Sequence, residues 1–391
     1  QYLCHFQISF LKSFFTSTNK KMKYYIIAGE ASGDLHASNL MTALKQQDEK
    51  AEFRCWGGDL MEAAGGQLVK HYRDLAFMGF TEVVLNLRTI LNNISFCKKD
   101  ILQFEPDLLI LIDYPGFNLR IAEFARQKNL KVFYYIAPQV WAWHSSRIKK
   151  MKENINHLFV ILPFEKAFFA KHEWENVHFV GHPLLDAIEN RQLETLEKKP
   201  LVLASDKPII ALLPGSRQQE IRRILPLMLQ VVSQFPAYQF VIAGAAALPF
   251  SFYENFIADK KNVAFVHNQT YDLLQNATAA LVASGTATLE TALFQVPQIV
   301  CYRGGFLSIQ IAKRLLKIPY ISLVNLVLDK EAVKELIQEN LNKENLTAEL
   351  TKILPEGERL QSIKIDYESL KKVLGNAGAS QKTAELMLKY F

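Results

Sequence analysis

The stretch Ala279-Ala-Leu-Val-Ala-Ser-Gly-Thr-Ala-Thr-Leu-Glu-Thr-Ala-Leu-Phe-Gln-Val-Pro-Gln-Ile-Val-Cys-Tyr-Arg303 spells strand, glycine turn, helix and strand in one line. Ala279 to Ala283 is a short apolar run, as a buried strand requires. Ser284-Gly285-Thr286 is a tight polar turn with a hydroxyl where a helix wants its N-cap. Leu289, Ala292 and Leu293 then recur at helical spacing, and Gln295-Val296-Pro297 ends the helix, because proline cannot continue it. Gln298 to Cys301 is a second strand that runs out at Arg303. Such a unit points free backbone N–H groups at the helix start, a natural seat for phosphate. It also sets Glu290 in the early turns, where a carboxylate accepts ribose hydroxyls. A glycine turn alone more often marks an ordinary capped helix, so the neighbouring stretches must decide.

They repeat the pattern. Before this unit, Pro208 to Leu213 is a strand ending in Pro214-Gly215-Ser216-Arg217, with a helix expected over 219–235. The glycine-serine turn with an arginine beside it again suits a diphosphate. Tyr238 to Ala243 and Val263 to Val266 read as strands, and Tyr271 to Asn276 as a helix. After the unit, Glu331 to Asn340 reads as a helix carrying Gln338, and a last helix over 367–389 is broken by Gly375 and Gly378. Toward the amino terminus, Tyr24 to Ala28 is a strand that breaks at Gly29-Glu30-Ala31-Ser32-Gly33-Asp34, with a helix from about Leu35 to Gln46. The Gly-x-Gly-x-x-Gly dinucleotide spacing is absent. Leu108 to Ile112 is apolar without alternation, as in a parallel strand covered on both faces. It stops at Asp113, at the edge where open α/β sheets bind ligands. Asp113 is therefore a candidate general base, and a capping aspartate is the plain alternative. Ala137-Pro-Gln-Val-Trp-Ala-Trp143 is a proline-tryptophan loop fit to wall a sugar site or to plug an interface. Phe77, Phe80, Val84, Leu87, Leu91 and Ile94 alternate steps of three and four, the mark of an amphipathic helix. Phe77-Met78-Gly79-Phe80 at its head suits acyl chains or a bilayer face as well as a core.

At 391 residues with 49% hydrophobic content the chain has material for two globular domains. Lys12, Lys20 and Lys21 supply three of the six net positive charges, so the balance from Met22 onward is +3. With no basic stripe interleaved with aromatics, nucleic acid is excluded as a partner. Cys4, Cys55, Cys97 and Cys301 fit neither a metal knot nor a disulfide framework, which points to a reducing compartment. No apolar run reaches the roughly 20 residues of a membrane span. Residues 1–21 read as a non-native or disordered extension, with Met22 the natural start.

Six stretches then stand in a telling order: Gly29-Glu-Ala-Ser-Gly-Asp34, Asp113-x-Pro-x-Phe-Asn118, Ala137-Pro-x-Val-Trp-Ala-Trp143, Val180-Gly-His-Pro-Leu184, Leu213-Pro-Gly-Ser-Arg217 and Ser284-Gly-Thr-Ala-Thr-Leu-Glu290. Together they make the chain, from Met22 to near its end, resemble the lipid-A-disaccharide synthase family. The resemblance implies an α/β fold of GT-B architecture, two doubly wound Rossmann-like domains facing a central cleft. The expected divisions are an acceptor and lipid domain over 22–190, a linker over 191–207, a UDP-sugar domain over 208–365 and a C-terminal helix over 366–391. The implied donor is UDP-2,3-diacylglucosamine and the acceptor 2,3-diacylglucosamine 1-phosphate, joined with inversion to a β-1,6-linked disaccharide 1-phosphate plus UDP. The implied place is the cytoplasmic face of the inner membrane, with no cofactor and no metal, since no Asp-x-Asp occurs; a homo-oligomer is left open.

Carried onto this sequence, the resemblance makes Asp113 the base. It gives Arg217, Ser284, Gly285, Thr286, Glu290, Arg303, Asn325 and Gln338 to the donor. Glu30, Ser32, Gly33, Asn118 and Trp141 go to the acceptor, and Phe77, Met78, Phe80, Val84 and Leu87 to lipid. Val324 stands where relatives often have proline, and Gln139 and His144 depart from the expected tryptophan motif. The alternatives are another UDP-sugar enzyme of the same architecture (an epimerase or a peptidoglycan-type transferase) or a non-catalytic UDP-lipid binder. The Trp-Ala-Trp loop argues against the first, and the presence of Asp113 and Glu290 against the second.

Overall fold

The structure is a computed structural model that describes residues 21–75, 87–141, 146–194, 205–246, 248–258, 260–304 and 319–391. Residues 1–20, Phe77, Met78, Phe80, Val84, Trp143, His144 and most of the expected linker lie outside the described residues, as does the side chain of Leu87.

Two parallel sheets organise the chain. The first comprises β1 (Lys23–Ala28), β2 (Glu52–Gly57), β3 (Gly66–His71), β4 (Leu108–Ile112), β5 (Val132–Tyr135), β6 (His157–Val160) and β7 (Val177–Phe179), in the order β3-β2-β1-β4-β5-β6-β7. The second comprises β8 (Ile209–Leu213), β9 (Gln239–Gly244), β10 (Val263–His267), β11 (Ala277–Ala283), β12 (Gln298–Tyr302) and β13 (Lys334–Ile337), in the order β10-β9-β8-β11-β12-β13. β4 and β8 are buried along their whole length, which is why both read as unbroken apolar runs. In each sheet the order reverses direction once, between β1 and β4 and between β8 and β11. Open α/β sheets bind ligands at the carboxyl ends of the strands flanking such a reversal.

By compactness the chain falls into two units, one ending at Phe133 and resuming over Ala384–Phe391, the other Tyr134–Thr383. In the first unit a buried polar chain ties β1 and β2 to the Leu87–Phe104 helix. Trp56 Nε1 donates to the Tyr25 hydroxyl at 2.8 Å, that hydroxyl donates to Asp100 at 2.6 Å, and Arg54 grips Asp100 at 2.6 and 2.8 Å. Burial drives the Tyr25 hydroxyl pKa far above the tyrosine range, so it stays protonated and donates. Lys131 Nζ holds the last carbonyls, 3.3 Å from the Tyr390 oxygen and 2.5 Å from that of Phe391. In the second unit Asp186 caps the Ala379–Tyr390 helix, accepting from the amides of Gly378, Ala379 and Ser380 at 2.6, 3.1 and 2.7 Å.

Several expected elements are corrected. The first helix spans Ala31–Gln47, beginning four residues early because Glu30 is extended and serves as its N-cap. The helix expected over 219–235 is α-helical over Gln218–Met228 and 3₁₀ over Leu229–Gln234, with Pro226 inside the first part. The segment expected as a helix over 331–340 contains β13 instead. Its helix-forming residues yield to pairing with β12, from Ile299↔Lys334 to Tyr302↔Ile337. The last helix is two, Leu360–Leu374 and Ala379–Tyr390, with Gly375 at φ 87° and Gly378 at φ 110° between them.

Candidate functional site

β1 and β4 are paired in register up to Ala28↔Ile112, so Gly29 and Asp113 leave the first sheet side by side. Asp113 and Tyr114 both take the left-handed conformation, φ 43° and 49°. Two successive non-glycine residues there cost about 1–3 kcal/mol each and persist only where the surroundings enforce them. Asn118 supplies the enforcement. Fully buried, its Nδ2 lies 3.4 Å from the Ile27 carbonyl, 3.1 Å from that of Ile112 and 2.8 Å from that of Asp113. The Tyr114 ring completes it by lying flat on Gly29, where an added Cβ would stand 2.3 Å from the ring. Gly29 is thus glycine because an aromatic ring occupies its side-chain space. Burial, and then the charge of Glu30, push the Tyr114 hydroxyl pKa up.

Around Asp113, itself half-buried, the Gly29–Asp34 residues divide their labour. Glu30 is half-buried at the helix start and Ser32 is exposed. Gly33 is buried, with an added Cβ 3.2 Å from that of Ala28, so it brings helix and strand close. Asp34 is engaged with the chain's own backbone, accepting from Gly58, Met61 and Leu60 amides at 2.7, 3.1 and 3.2 Å. It is a helix cap for Asp59–Ala63. Asn118 also has no exposed surface; its Nδ2 braces the backbone, and its Oδ1 has no hydrogen-bond partner among the described residues. Trp141 is half-buried, its Nε1 3.3 Å from Glu165 Oε1 and its ring edge-on to Phe164 at 5.0 Å.

In the second sheet the turns after β8, β11, β12 and β13 stand in a row, because those strands are neighbours. After β11, Ser284 donates its hydroxyl to the Ile321 carbonyl at 3.0 Å. Gly285 and Thr286 are exposed at the start of the Thr286–Leu293 helix, and a Cβ on Gly285 would meet nothing within 4 Å. Glu290 follows one turn later. Its Oε1 accepts from the Tyr271 hydroxyl at 3.0 Å. Desolvation raises its carboxyl pKa, and the Tyr271 bond offsets part of that. Arg217, after β8, and Arg303, after β12, are exposed cations. Gln338, directly after β13, is buried at 7% exposure with φ 56°, and its Nε2 has no hydrogen-bond partner among the described residues. A buried amide donor left unmade costs about 1–3 kcal/mol, and this one stands at the carboxyl edge of the sheet, where a bound molecule can complete it.

Asn325 behaves otherwise. Fully buried, it bonds the Val333 carbonyl, the Val333 amide and Glu335, each at 2.9 Å. Glu335 in turn accepts from the Ile321 and Ser322 amides at 3.0 and 2.9 Å. Asn325 therefore fastens the chain that carries Ile321, the partner of Ser284. Tyr271, Tyr114, Glu335 and Glu220 are missing from the sequence expectations. Only Glu220 left a legible signal, a glutamate at the third position of a helix after a Gly-Ser-Arg turn. On the Leu87–Phe104 helix the apolar series splits: Ile94 is buried while Leu91 is 55% exposed. Among the described residues no group of three His, Cys, Asp or Glu is placed to hold a metal ion, and no helix is long and apolar enough to cross a membrane.

Two doubly wound parallel sheets, each with polar residues at its reversal, define the GT-B class of fold. Solved structures agree. A UDP-GlcNAc 2-epimerase from Neisseria meningitidis superposes with a TM-score of 0.66 at 13% identity, covering 94% of this chain and 100% of that one. The calicheamicin glycosyltransferase CalG4 does so at 0.59 and 14%, covering 95% and 98%. Within that class the chain belongs to the lipid-A-disaccharide synthase family of glycosyltransferase enzymes. The family model described as lipid-A-disaccharide synthetase matches residues 24–390. The lipid-A-disaccharide synthase of Syntrophus aciditrophicus is 39% identical over 369 residues, 93% of this chain and 96% of that protein. That of Coxiella burnetii (strain Dugway 5J108-111) is 36% identical over 366 residues, with the same coverage.

Proposed function

We propose that the protein joins UDP-2,3-diacylglucosamine to 2,3-diacylglucosamine 1-phosphate, giving a β-1,6-linked disaccharide 1-phosphate and UDP with inversion at the anomeric carbon. The observation that carries the donor side is the row at the carboxyl edge of the second sheet. It holds an open helix start at Gly285 and Thr286, the carboxylate of Glu290, the exposed Arg217 and Arg303, and the Gln338 amide, whose Nε2 has no partner among the described residues. Helix amides and guanidinium groups match a diphosphate, and a carboxylate matches ribose hydroxyls.

Asp113 takes the proton of the acceptor 6-hydroxyl as that oxygen forms its bond to the anomeric carbon. The bond from that carbon to the diphosphate oxygen breaks, and UDP leaves with the electron pair. Arg217, Arg303 and the helix amides stabilise the charge that grows on it. The left-handed backbone at Asp113 fixes where its carboxylate starts, so less ordering remains to be done at the moment of reaction. The halves over 22–190 and 208–365 take acceptor and donor respectively. Leu91 and Leu102, at 55 and 47% exposure and about three turns apart on one face of the Leu87–Phe104 helix, support contact with a lipid surface, which for this reaction is the cytoplasmic face of the inner membrane.

UDP release from the donor lipid, measured with and without acceptor for the natural protein and for Asp113→Ala, tests the assignment. Acceptor-dependent release that collapses in the variant supports both transferase and base. Release that survives moves the base elsewhere, and no release in any detergent or lipid mixture sinks the transferase.

A further inference from the structure

The turns Gly215-Ser216-Arg217 and Ser284-Gly285-Thr286 are alike in sequence, and each opens a helix, of 11 and 8 residues. They are not alike in structure. Glu220, three residues past Arg217, turns its carboxylate back onto the amides of Ser216 and Arg217. Gly215 makes room for it. At φ 112°, a Cβ on that residue would lie 2.1 Å from Glu220 Oε2, 2.4 Å from Cδ and 2.8 Å from Cγ. The space a side chain would fill at position 215 is the space the carboxylate fills. Burial desolvates this carboxyl and raises its pKa, while the charge of Arg217 and the two amide donors pull it back. Gly285 has open space where Gly215 has Glu220, and its φ of 160° is extended backbone that any residue adopts. One helix start is filled by the chain's own anion, and the other is open.

A carboxylate and a phosphate oxygen compete for the same amide donors, and two anions at one helix start repel each other. We infer that Glu220 is a positioning residue for donor binding. It withholds the amides of Ser216 and Arg217 from the diphosphate, and it locks their turn so that the turn offers the Arg217 guanidinium alone. The diphosphate backbone contacts then fall to the start of the Thr286–Leu293 helix. The inference rests on the donor assignment proposed above.

The test is calorimetric titration with UDP, together with donor kinetics, on the full chain and three variants. Gly285→Asp writes a self-capping carboxylate into the open turn, where there is room for it and where aspartate caps its own helix. It is expected to weaken UDP binding by about tenfold or more. Glu220→Ala loosens the turn and is expected to raise donor KM and UDP Kd together by roughly three- to tenfold, with kcat within about twofold. Glu220→Gln keeps one accepting oxygen and should fall between the natural protein and Glu220→Ala, a graded rescue that loss of folding does not produce. Tighter UDP binding in either Glu220 variant overturns the inference, because it makes Glu220 a competitor at the true diphosphate seat. UDP affinity left unchanged in both overturns it too. If Glu220→Ala does not fold, Gly285→Asp decides, since undiminished UDP binding there removes the diphosphate from that helix. A natural protein that binds no UDP overturns the donor assignment itself, and the inference falls with it.

Discussion

The two sheets make their ligand edges from different materials. At the reversal of the first sheet the proposed base is a side chain, Asp113, on a backbone forced left-handed at two successive non-glycine residues. The forcing is done by a buried asparagine and by a tyrosine ring seated on a glycine. At the reversal of the second sheet and beside it the proposed groups are spread over several turns: the open amides at Gly285 and Thr286, the guanidinium groups of Arg217 and Arg303, and the Glu290 carboxylate. The difference follows from the tasks. A base must hold one proton acceptor at one place, which side-chain packing can do. A diphosphate spreads charge over many oxygens and is met best by several small fixed dipoles. One edge should therefore be fragile to single side-chain changes and the other tolerant of them.

The largest break expected is at the first edge. Asp113→Ala should cut acceptor-dependent UDP release by about 10²- to 10⁴-fold, the range for loss of a general base. UDP affinity by titration should stay within about twofold; a parallel loss of UDP binding would erase the contrast between the edges. Next comes the brace. Asn118→Ala strips donors from the carbonyls of Ile27, Ile112 and Asp113, which should destabilise the fold by about 1–3 kcal/mol in urea unfolding. It should lower turnover at temperatures where the protein is still folded, since Asp113 loses its enforced backbone.

At the second edge Glu290→Gln separates stability from function. Burial raises the Glu290 pKa above its unfolded value, so this group favours the folded state at low pH and loses that favour as pH rises through the raised value. The glutamine variant, which still accepts from Tyr271, should thus melt higher than the natural protein at pH 7.5, with the gap closing as pH falls. Donor binding wants the ionised form and should weaken in the variant. A melting temperature lowered at neutral pH would contradict the burial cost. The smallest effect is expected at Ser284. Its hydroxyl serves the Ile321 carbonyl, so Ser284→Ala should change donor KM by less than about threefold, the amides being untouched. A hundredfold loss would show that a side chain, not the backbone, does the binding there.

How far these edges were legible in the sequence depends on what had to be seen. The ends of β4, β8 and β11 could be read because apolar runs buried on both faces stop at polar turns, and Asp113, Arg217 and Ser284 stand directly at those stops. β2 was not legible, since Arg54 lies inside it and only the fold brings Asp100 to pair with that charge. The β13 segment reads as helix because its local preference is helical, and only a neighbouring strand overrides that. Asn118 and Asn325 stood in motifs near ligand edges, and nothing local separates an asparagine that touches a ligand from one that ties down carbonyls. Partners reveal the tying: Asn118 Nδ2 reaches three backbone carbonyls, and Asn325 bonds Val333 and Glu335.

The sequence by itself determined the α/β alternation, the parallel character of both sheets, the family and the candidates Asp113 and Glu290. The family follows from six motifs standing in order along the chain, and the others from the period of apolar residues and the chemistry of the turn that ends each run. Only the tertiary structure decided which strands neighbour each other, and so which turns stand in one row. It decided that Asp34, Asn118 and Asn325 work on the backbone, and that Glu220 fills one helix start while the other stays open. Those outcomes depend on hydrogen-bond partners and burial supplied by residues far apart in the chain, as Asp34 meets the Gly58 amide and Ser284 the Ile321 carbonyl, which no local pattern encodes.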